Sequence, residues 1–336
     1  MNDRYARQSL FKPIGVAGQK KISEKHVMIL GCGALGTANA DNLVRAGIGK
    51  LTIIDRDYVE YTNLQRQQLF NEHDADNQVP KVIAAKEKLA AINSNVQIET
   101  HVMDVTGITL APLLADVDLL IDATDNFDIR FIMNDLIHKY NIPWIFGSCV
   151  GSTGMSFTVF PGESPCLYCL LNTTTISGAT CDSVGIIASA VQMVVAHQTT
   201  EALKLLVEDE AAYRTKLVMF DLWTNHYQQI NVDKAKKAAC PTCGTLPTYP
   251  YLSYEAQTKT EVLCGRNTVQ IRASREVALE SLAHQLGRLG KVNVNDFLLS
   301  LDYEPYRVVI FRDGRAFIHG TDSLEKAKKI YYQLVG

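Results

Sequence analysis

The chain has 336 residues, 47% of them apolar and 21% charged, and a formal net charge of −3. The length suits one large domain with a core of its own plus a small one, and the composition is that of a soluble globular protein. So even a charge balance leaves no bulk positive field to draw the chain onto nucleic acid or membrane.

In chain order, the polar start Met1–Arg7 lacks an apolar signal core. His26–Leu30 reads as a buried strand and runs into Gly31-Cys32-Gly33-Ala34-Leu35-Gly36, after which a helix reaches about Gly47. Leu51–Asp55 is a second strand. Pro80–Ile92 reads as a helix, with proline at its start, where a missing N–H costs nothing. Val96–Val102 alternates like a strand, and Val117–Ile121 is another buried strand. Asn126–Tyr140 is helical and Pro143–Phe146 extended. Strands alternating with helices imply a Rossmann-like α/β fold, a mostly parallel sheet with helices on both faces.

Beyond Ser148 the pattern changes. Met155–Phe160 and Lys216–Asp221 look like strands, separated by an apolar helix over Val184–Lys204. Its longest apolar run, Val184–Ala196, is too short to span a bilayer and carries Ser189 and Gln192, so it reads as a core helix. A cytoplasmic protein is expected. There the eight cysteines serve as metal ligands, reactive thiols or core residues rather than as disulfides. Thr245–Pro250 looks like a linker. Two short strands over Val262–Arg272, a helix over Ser274–Leu289, a hairpin turning at Asp313-Gly314 and a final helix capped by Ser323 then make a small α+β domain. The expected division is 1–248 and 249–336, the second part having no assigned role.

The G-x-G-x-x-G loop lies between a strand and a helix. Glycines there let backbone N–H groups approach phosphate at the helix N-terminus. Asp55 ends the next strand, where a carboxylate can accept hydrogen bonds from ribose hydroxyls. This marks a nucleotide site without separating NAD from ATP. Asp57, Glu60, Asn63-Leu64-Gln65-Arg66-Gln67 and Lys81 then form a polar, cationic cluster that hydride transfer does not need. Attack of a carboxylate on phosphorus does need one: both reactants are anionic, and Arg, Lys and Mg²⁺ can neutralise the charge that builds. A peptide C-terminus, with a pKa of ~3.5, needs no general base. Asp122-Ala123-Thr124-Asp125-Asn126 ends the fourth strand, on the side where open α/β sheets place ligands. Asp125 suits Mg²⁺, although Asp125 or Asn126 could equally cap the next helix.

Cys166-Leu167-Tyr168-Cys169 and Cys240-Pro241-Thr242-Cys243 are two C-x-x-C units. Four such thiolates make a closed tetrahedral zinc site joining remote segments. Cys181, in a polar stretch before the apolar helix, is either a reactive thiol or a structural one. Cys32, Cys149 and Cys264 read as packing or turn residues.

With Arg4-Tyr5-Ala6-Arg7-Gln8, Asp55-Arg56-Asp57, Pro80-Lys81 and Thr124-Asp125-Asn126 added to these motifs, the chain resembles the ThiF/MoeB/HesA family, relatives of the ubiquitin-activating enzymes. The likeness runs from residue 4 to about 243. It implies ATP-dependent adenylation of the C-terminal Gly-Gly carboxylate of a ubiquitin-like sulfur-carrier protein, ThiS-like or MoaD-like, for thiamine thiazole or molybdopterin biosynthesis. Gly31, Gly33, Ala34 and Gly36 would bound the nucleotide, Asp55 would hold the ribose, Asn63, Arg66 and Lys81 would contact phosphates, and Asp125 with Asn126 beside it would face Mg²⁺. Arg7 would reach the ATP of the other subunit of a homodimer. Cys166, Cys169, Cys240 and Cys243 would hold Zn²⁺, and Cys181 matches a loop cysteine that some members use covalently. A sulfur donor protein would act on the acyl-adenylate. The other reading within this fold is ATP-dependent activation of a different carboxylate, such as one on a modified tRNA. The chain's weak basic character disfavours a nucleic-acid substrate.

Overall fold

A computed structural model describes residues 3–171, 184–253, 261–263, 267–271 and 276–335. Contacts divide the chain into Met1–Ser253 and Tyr254–Gly336. The division falls after the stretch read from sequence as a linker, because that stretch packs down. The amides of Thr248 and Tyr249 donate to Pro241 O, and the Tyr251 ring stacks on Phe131 at 4.6 Å.

The first unit is built on an eight-stranded sheet, order β3-β2-β1-β4-β5-β6-β7-β8. The strands are β1 His26–Leu30, β2 Lys50–Asp55, β3 Gln97–Val102, β4 Leu119–Asp122, β5 Trp144–Val150, β6 Thr153–Val159, β7 Leu217–Asp221 and β8 His226–Ile230. From β3 to β5 every pairing is parallel; from β5 to β8 every pairing is antiparallel. The sheet is therefore mixed, and its parallel half matches the part of the sequence where strands and helices alternate.

Successive residues of a strand point to opposite faces, and the apolar residues of β1 divide accordingly. Val27 and Ile29 enter one core; Met28 and Leu30 enter the other. The first core is covered by α1 (Gly15–Ile22), α2 (Ala34–Ala46) and α3 (Lys81–Ile92), and the second by α4 (Phe127–Tyr140). A further helix, α5 (Ala188–Val207), packs on α2 and on β5 and β6. It ends at Glu208 in the left-handed region.

Helix α2 stops at Gly47, whose φ of 82° suits a residue without Cβ. The Tyr5 ring occupies the space a side chain at Gly47 would take, and the Tyr5 hydroxyl accepts from Asn93 Nδ2 at 2.8 Å. Gln8 donates to Ala46 O. These contacts dock the N-terminal segment onto the end of α2.

The second unit is a six-stranded antiparallel sheet, order β11-β12-β13-β14-β10-β9. Its strands are β9 Glu261–Leu263, β10 Thr268–Ile271, β11 Val292–Val294, β12 Leu298–Tyr303, β13 Tyr306–Phe311 and β14 Ala316–His319. One apolar set, including Val269, Leu299, Val308 and Ile318, packs with α6 (Leu279–Leu286) and α7 (Leu324–Val335). The expected hairpin at Asp313-Gly314 forms, and Ser323 Oγ accepts from Lys326 N at the start of α7. Helix α6 is shorter than the sequence suggests, running only from Leu279 to Leu286.

Candidate nucleotide site and cysteine cluster

The glycine loop packs against the end of β4. Gly31 has φ +92°, and a Cβ there would lie 2.5 Å from Ala123 O. A side chain on Gly36 would collide with Gly31 O. Both positions therefore need glycine to close the turn from β1 into α2. Gly33 differs: the nearest atom to a Cβ there would be Gln67 Nε2, at 3.8 Å. Thr37 N bonds back to Gly33 O, leaving the earlier amides of α2, from Ala34 on, without intrahelical acceptors. The loop thus offers N–H groups, and open space above Gly33, to an anion.

Asp55 ties this loop to the next segment. Its Oδ2 accepts from Cys32 N at 2.5 Å and its Oδ1 from Asp57 N at 2.7 Å. Burial pushes the Asp55 carboxyl above its ordinary range, opposed by the charge of Lys81. Lys81, 4% exposed at the start of α3, lies 3.3 Å from Asp57 Oδ2. Asn63 Oδ1 accepts from Glu60 N at 3.0 Å and so closes the turn that carries Arg66. Arg66 is partly buried and donates to Thr62 O. In the same segment Gln67 is buried beside Gly33, and its Oε1 has no partner among the described residues. A buried orphan acceptor next to a loop of unpaired amides fits a polar ligand seated there.

The residues Asp122–Asn126 follow β4, directly beside Gly31. Asn126 is the cap of α4, its Oδ1 accepting from Asp128 N at 2.7 Å. The cap therefore falls to Asn126, and Asp125 is exposed on the loop. Asp122 is fully buried and structural: Oδ1 accepts from the amide and hydroxyl of Thr124, and Oδ2 from Arg130 Nε at 2.8 Å. Arg130 also donates to Thr124 O and Gly147 O. Burial raises the Asp122 carboxyl, with Arg130 opposing. Arg7 is exposed on the short helix Ala6–Ser9.

The structure thus brings Gly31, Gly33, Ala34, Gly36, Asp55 and Lys81 around the C-terminal ends of β1 and β2, with Asn63 and Arg66 on the adjoining turn and Asp125 on the adjoining loop. Sequence reasoning placed Gln67 in a motif without giving it a role of its own, and it missed Arg130. A signal for Arg130 was there: a charge on a helical stretch otherwise rich in Ile129, Phe131, Ile132 and Met133. Cys181 lies outside the described residues.

Cys166, Cys169, Cys240 and Cys243 place their sulfurs within 4.8 Å of one another. The pairs Cys166–Cys240 and Cys169–Cys243 are 3.5 and 3.6 Å apart. A tetrahedron with Zn–S bonds of 2.3 Å has edges of about 3.8 Å, so the spacing fits. The amides of Thr242 and Cys243 point at Cys240 Sγ. Hydrogen bonds from Cys166 pull the Cys243 thiol down to about 5, leaving a partly buried anion that a cation would neutralise. Thr242 Oγ1 and Tyr251 N both donate to Asp135 on α4, which anchors the second knuckle to the sheet's helical layer.

The ThiF family model matches residues 5–242. The sulfur carrier protein ThiS adenylyltransferase of Bacillus subtilis is 51% identical over 339 residues, spanning all of both chains. Its namesake in Escherichia coli is 34% identical over 73% of this chain and 97% of its own. The adenylyltransferase and sulfurtransferase MOCS3 of Anopheles gambiae is 32% identical over 73% of this chain, which spans only 55% of that protein. Among solved structures, E. coli MccB with ATP superposes with a TM-score of 0.62 at 23% identity, covering 73% of this chain and 75% of that one. That likeness concerns the fold.

Proposed function

The chain belongs to the ThiF family, and from that premise we propose that it is an adenylyltransferase acting on the C-terminal carboxylate of a ubiquitin-like sulfur-carrier protein. The observation that carries this reading is the junction of the glycine loop with the Asp55–Lys81 segment and the Asp122–Asn126 loop. It gathers anion-binding amides, buried cationic nitrogen and an exposed carboxylate at the C-terminal ends of neighbouring strands. A full-length relative named for ThiS favours a ThiS-like carrier over a MoaD-like one.

In this reaction a carboxylate oxygen attacks the α-phosphorus of ATP. The new C(O)–O–P bond forms as the bond to the β-phosphate breaks, and pyrophosphate leaves with the electron pair. Amides from Ala34 onward and the charges of Arg66 and Lys81 would steady the oxygens that gain charge. Asn63 would contact the phosphates, and Asp55 would hold the ribose. Asp125 would carry Mg²⁺, which supplies neutralisation of the leaving pyrophosphate, with Asn126 alongside. Arg7 would complete the site of the second subunit in a homodimer. The four-cysteine cluster would hold Zn²⁺ as a structural ion. No helix among the described residues is long and apolar enough to cross a membrane, and the cytoplasm is the compartment we assign. Cys181 would serve a later covalent step, with a sulfur donor protein as the next reactant.

The test is ATP–pyrophosphate exchange with ThiS-like and MoaD-like carriers offered in turn. Exchange should require a carrier ending in Gly-Gly, and Asp125→Ala should lose most of it. Exchange retained at the wild-type rate in that variant would remove Asp125 from the metal site.

A further inference from the structure

A second structural element bears on the same site without touching it. Gln198 sits in the middle of α5 and is fully buried. Its Nε2 donates to Asp122 O at 2.8 Å and to Ile145 O at 3.3 Å. Its Oε1 accepts from Asn39 Nδ2 at 2.8 Å, and Asn39 Nδ2 also donates to Leu35 O at 2.9 Å. The orientation of both amides is forced. Two carbonyl oxygens face one end of Gln198, so only its NH₂ group fits there, and the oxygen at the other end must then meet a donor.

The position of this bridge matters. Pairing between β4 and β5 covers only Leu120–Trp144 and Ile121–Ile145. Just past it, Gln198 takes the carbonyls of Asp122 and Ile145, and Arg130 takes those of Thr124 and Gly147. Gly147 has no side chain where Gln198 lies; a Cβ there would overlap the amide. Two buried side chains, Gln198 and Asn39, thus tie the first turn of α2, which follows the glycine loop, to the residue that starts the Asp122–Asn126 loop. Apolar filling of the same space would satisfy packing but take a hydrogen-bond partner from Asp122 O, Ile145 O and Asn39 Nδ2.

We propose that Gln198, acting with Asn39, is a positioning residue for the adenylation reaction: it fixes the Asp122–Asn126 loop, and with it Asp125, at a set distance from the phosphate-binding amides. This rests on the function proposed above. Misplacing a reacting group from outside the site lowers turnover more than it lowers ground-state binding.

The experiment compares wild type, Gln198→Met, Asn39→Leu and the double variant. ATP affinity is measured by calorimetry in the presence of Mg²⁺, and exchange is measured as kcat and KM per folded protein. Both single variants should keep KM for ATP and the calorimetric affinity within about twofold while kcat falls about tenfold or more. The double variant should be no worse than Gln198→Met, because both members belong to one chain of bonds. Single variants that unfold earlier yet turn over at the wild-type rate would overturn the proposal, as would additive losses. Should Gln198→Met fail to fold, Asn39→Leu carries the same readouts, since it breaks the bridge at its outer end. A wild-type protein that binds ATP but exchanges no pyrophosphate with any carrier would refute the adenylation reading, which is a different outcome from unaltered kcat in the variants.

Discussion

Replacing Arg130 with methionine should be among the most damaging single changes outside the glycine loop. Methionine keeps much of the volume and the apolar stem, so packing is largely preserved. The charge is not. Asp122 is fully buried, and its Oδ2 meets Arg130 Nε at 2.8 Å. Breaking a buried pair from one side typically costs ~3–5 kcal/mol, since it strands the other charge. Thr124 O and Gly147 O, at 2.6 and 3.0 Å from Arg130 Nη2, lose their donor as well. Burial already pushes the Asp122 carboxyl upward, and Arg130 is what opposes that push. The net expectation is about 4 kcal/mol, read as a lower urea midpoint with an unchanged slope. Adding Asp122→Asn should recover a good part of the loss by removing the stranded charge. If Arg130→Met lies within about 1 kcal/mol of wild type, or if the double variant is no better than the single, the ion pair does not organise this loop.

The cysteine cluster predicts one bound zinc per chain by atomic absorption. Cys240→Ser should reduce that content and lower the thermal midpoint by several degrees, and metal-free wild-type protein with an unchanged midpoint would contradict it. His26 predicts a pH effect. Burial, and then Lys50, lower its pKa, so the unfolded chain binds a proton that the folded one resists. Its contribution is complete above the ordinary histidine range and is lost as pH falls through it. Denaturant midpoints should therefore drop from pH 7.5 to 5.5, less so in His26→Gln; an equal drop in both would absolve His26.

Local pattern carried the parallel half of the sheet. The apolar runs of β1, β2 and β4 and the proline before α3 each act within a few residues, and each appears where the spacing places it; the cap of α4, open in the sequence between Asp125 and Asn126, falls to Asn126. The antiparallel strand β8 was not legible, because His226–Gln229 are exposed and lack the apolar alternation that marks a half-buried strand. Strand β12 was missed although Leu298–Leu301 are buried: the run was too short to separate from a helix by period alone. Within the site, the residues proposed to meet a ligand stand in recognisable local motifs. Residues that meet only other protein atoms do not. Gln198 lies 76 residues from the carbonyl it serves, and nothing in its neighbours distinguishes it from an ordinary polar residue on a helix.

The spacing of the two knuckles has a bearing on how the chain assembles. Cys166 and Cys240 are 74 residues apart, and a bound ion would close everything between them into a ring, removing about 4 kcal/mol of freedom from the unfolded chain. Helix α5 lies inside that ring, whereas Asn39, Asp122 and Arg130 lie outside it. The ring takes in α5, β7 and β8, so a chain stripped of its ion should fray first on the α5 side while the β1–β4 half stays knit.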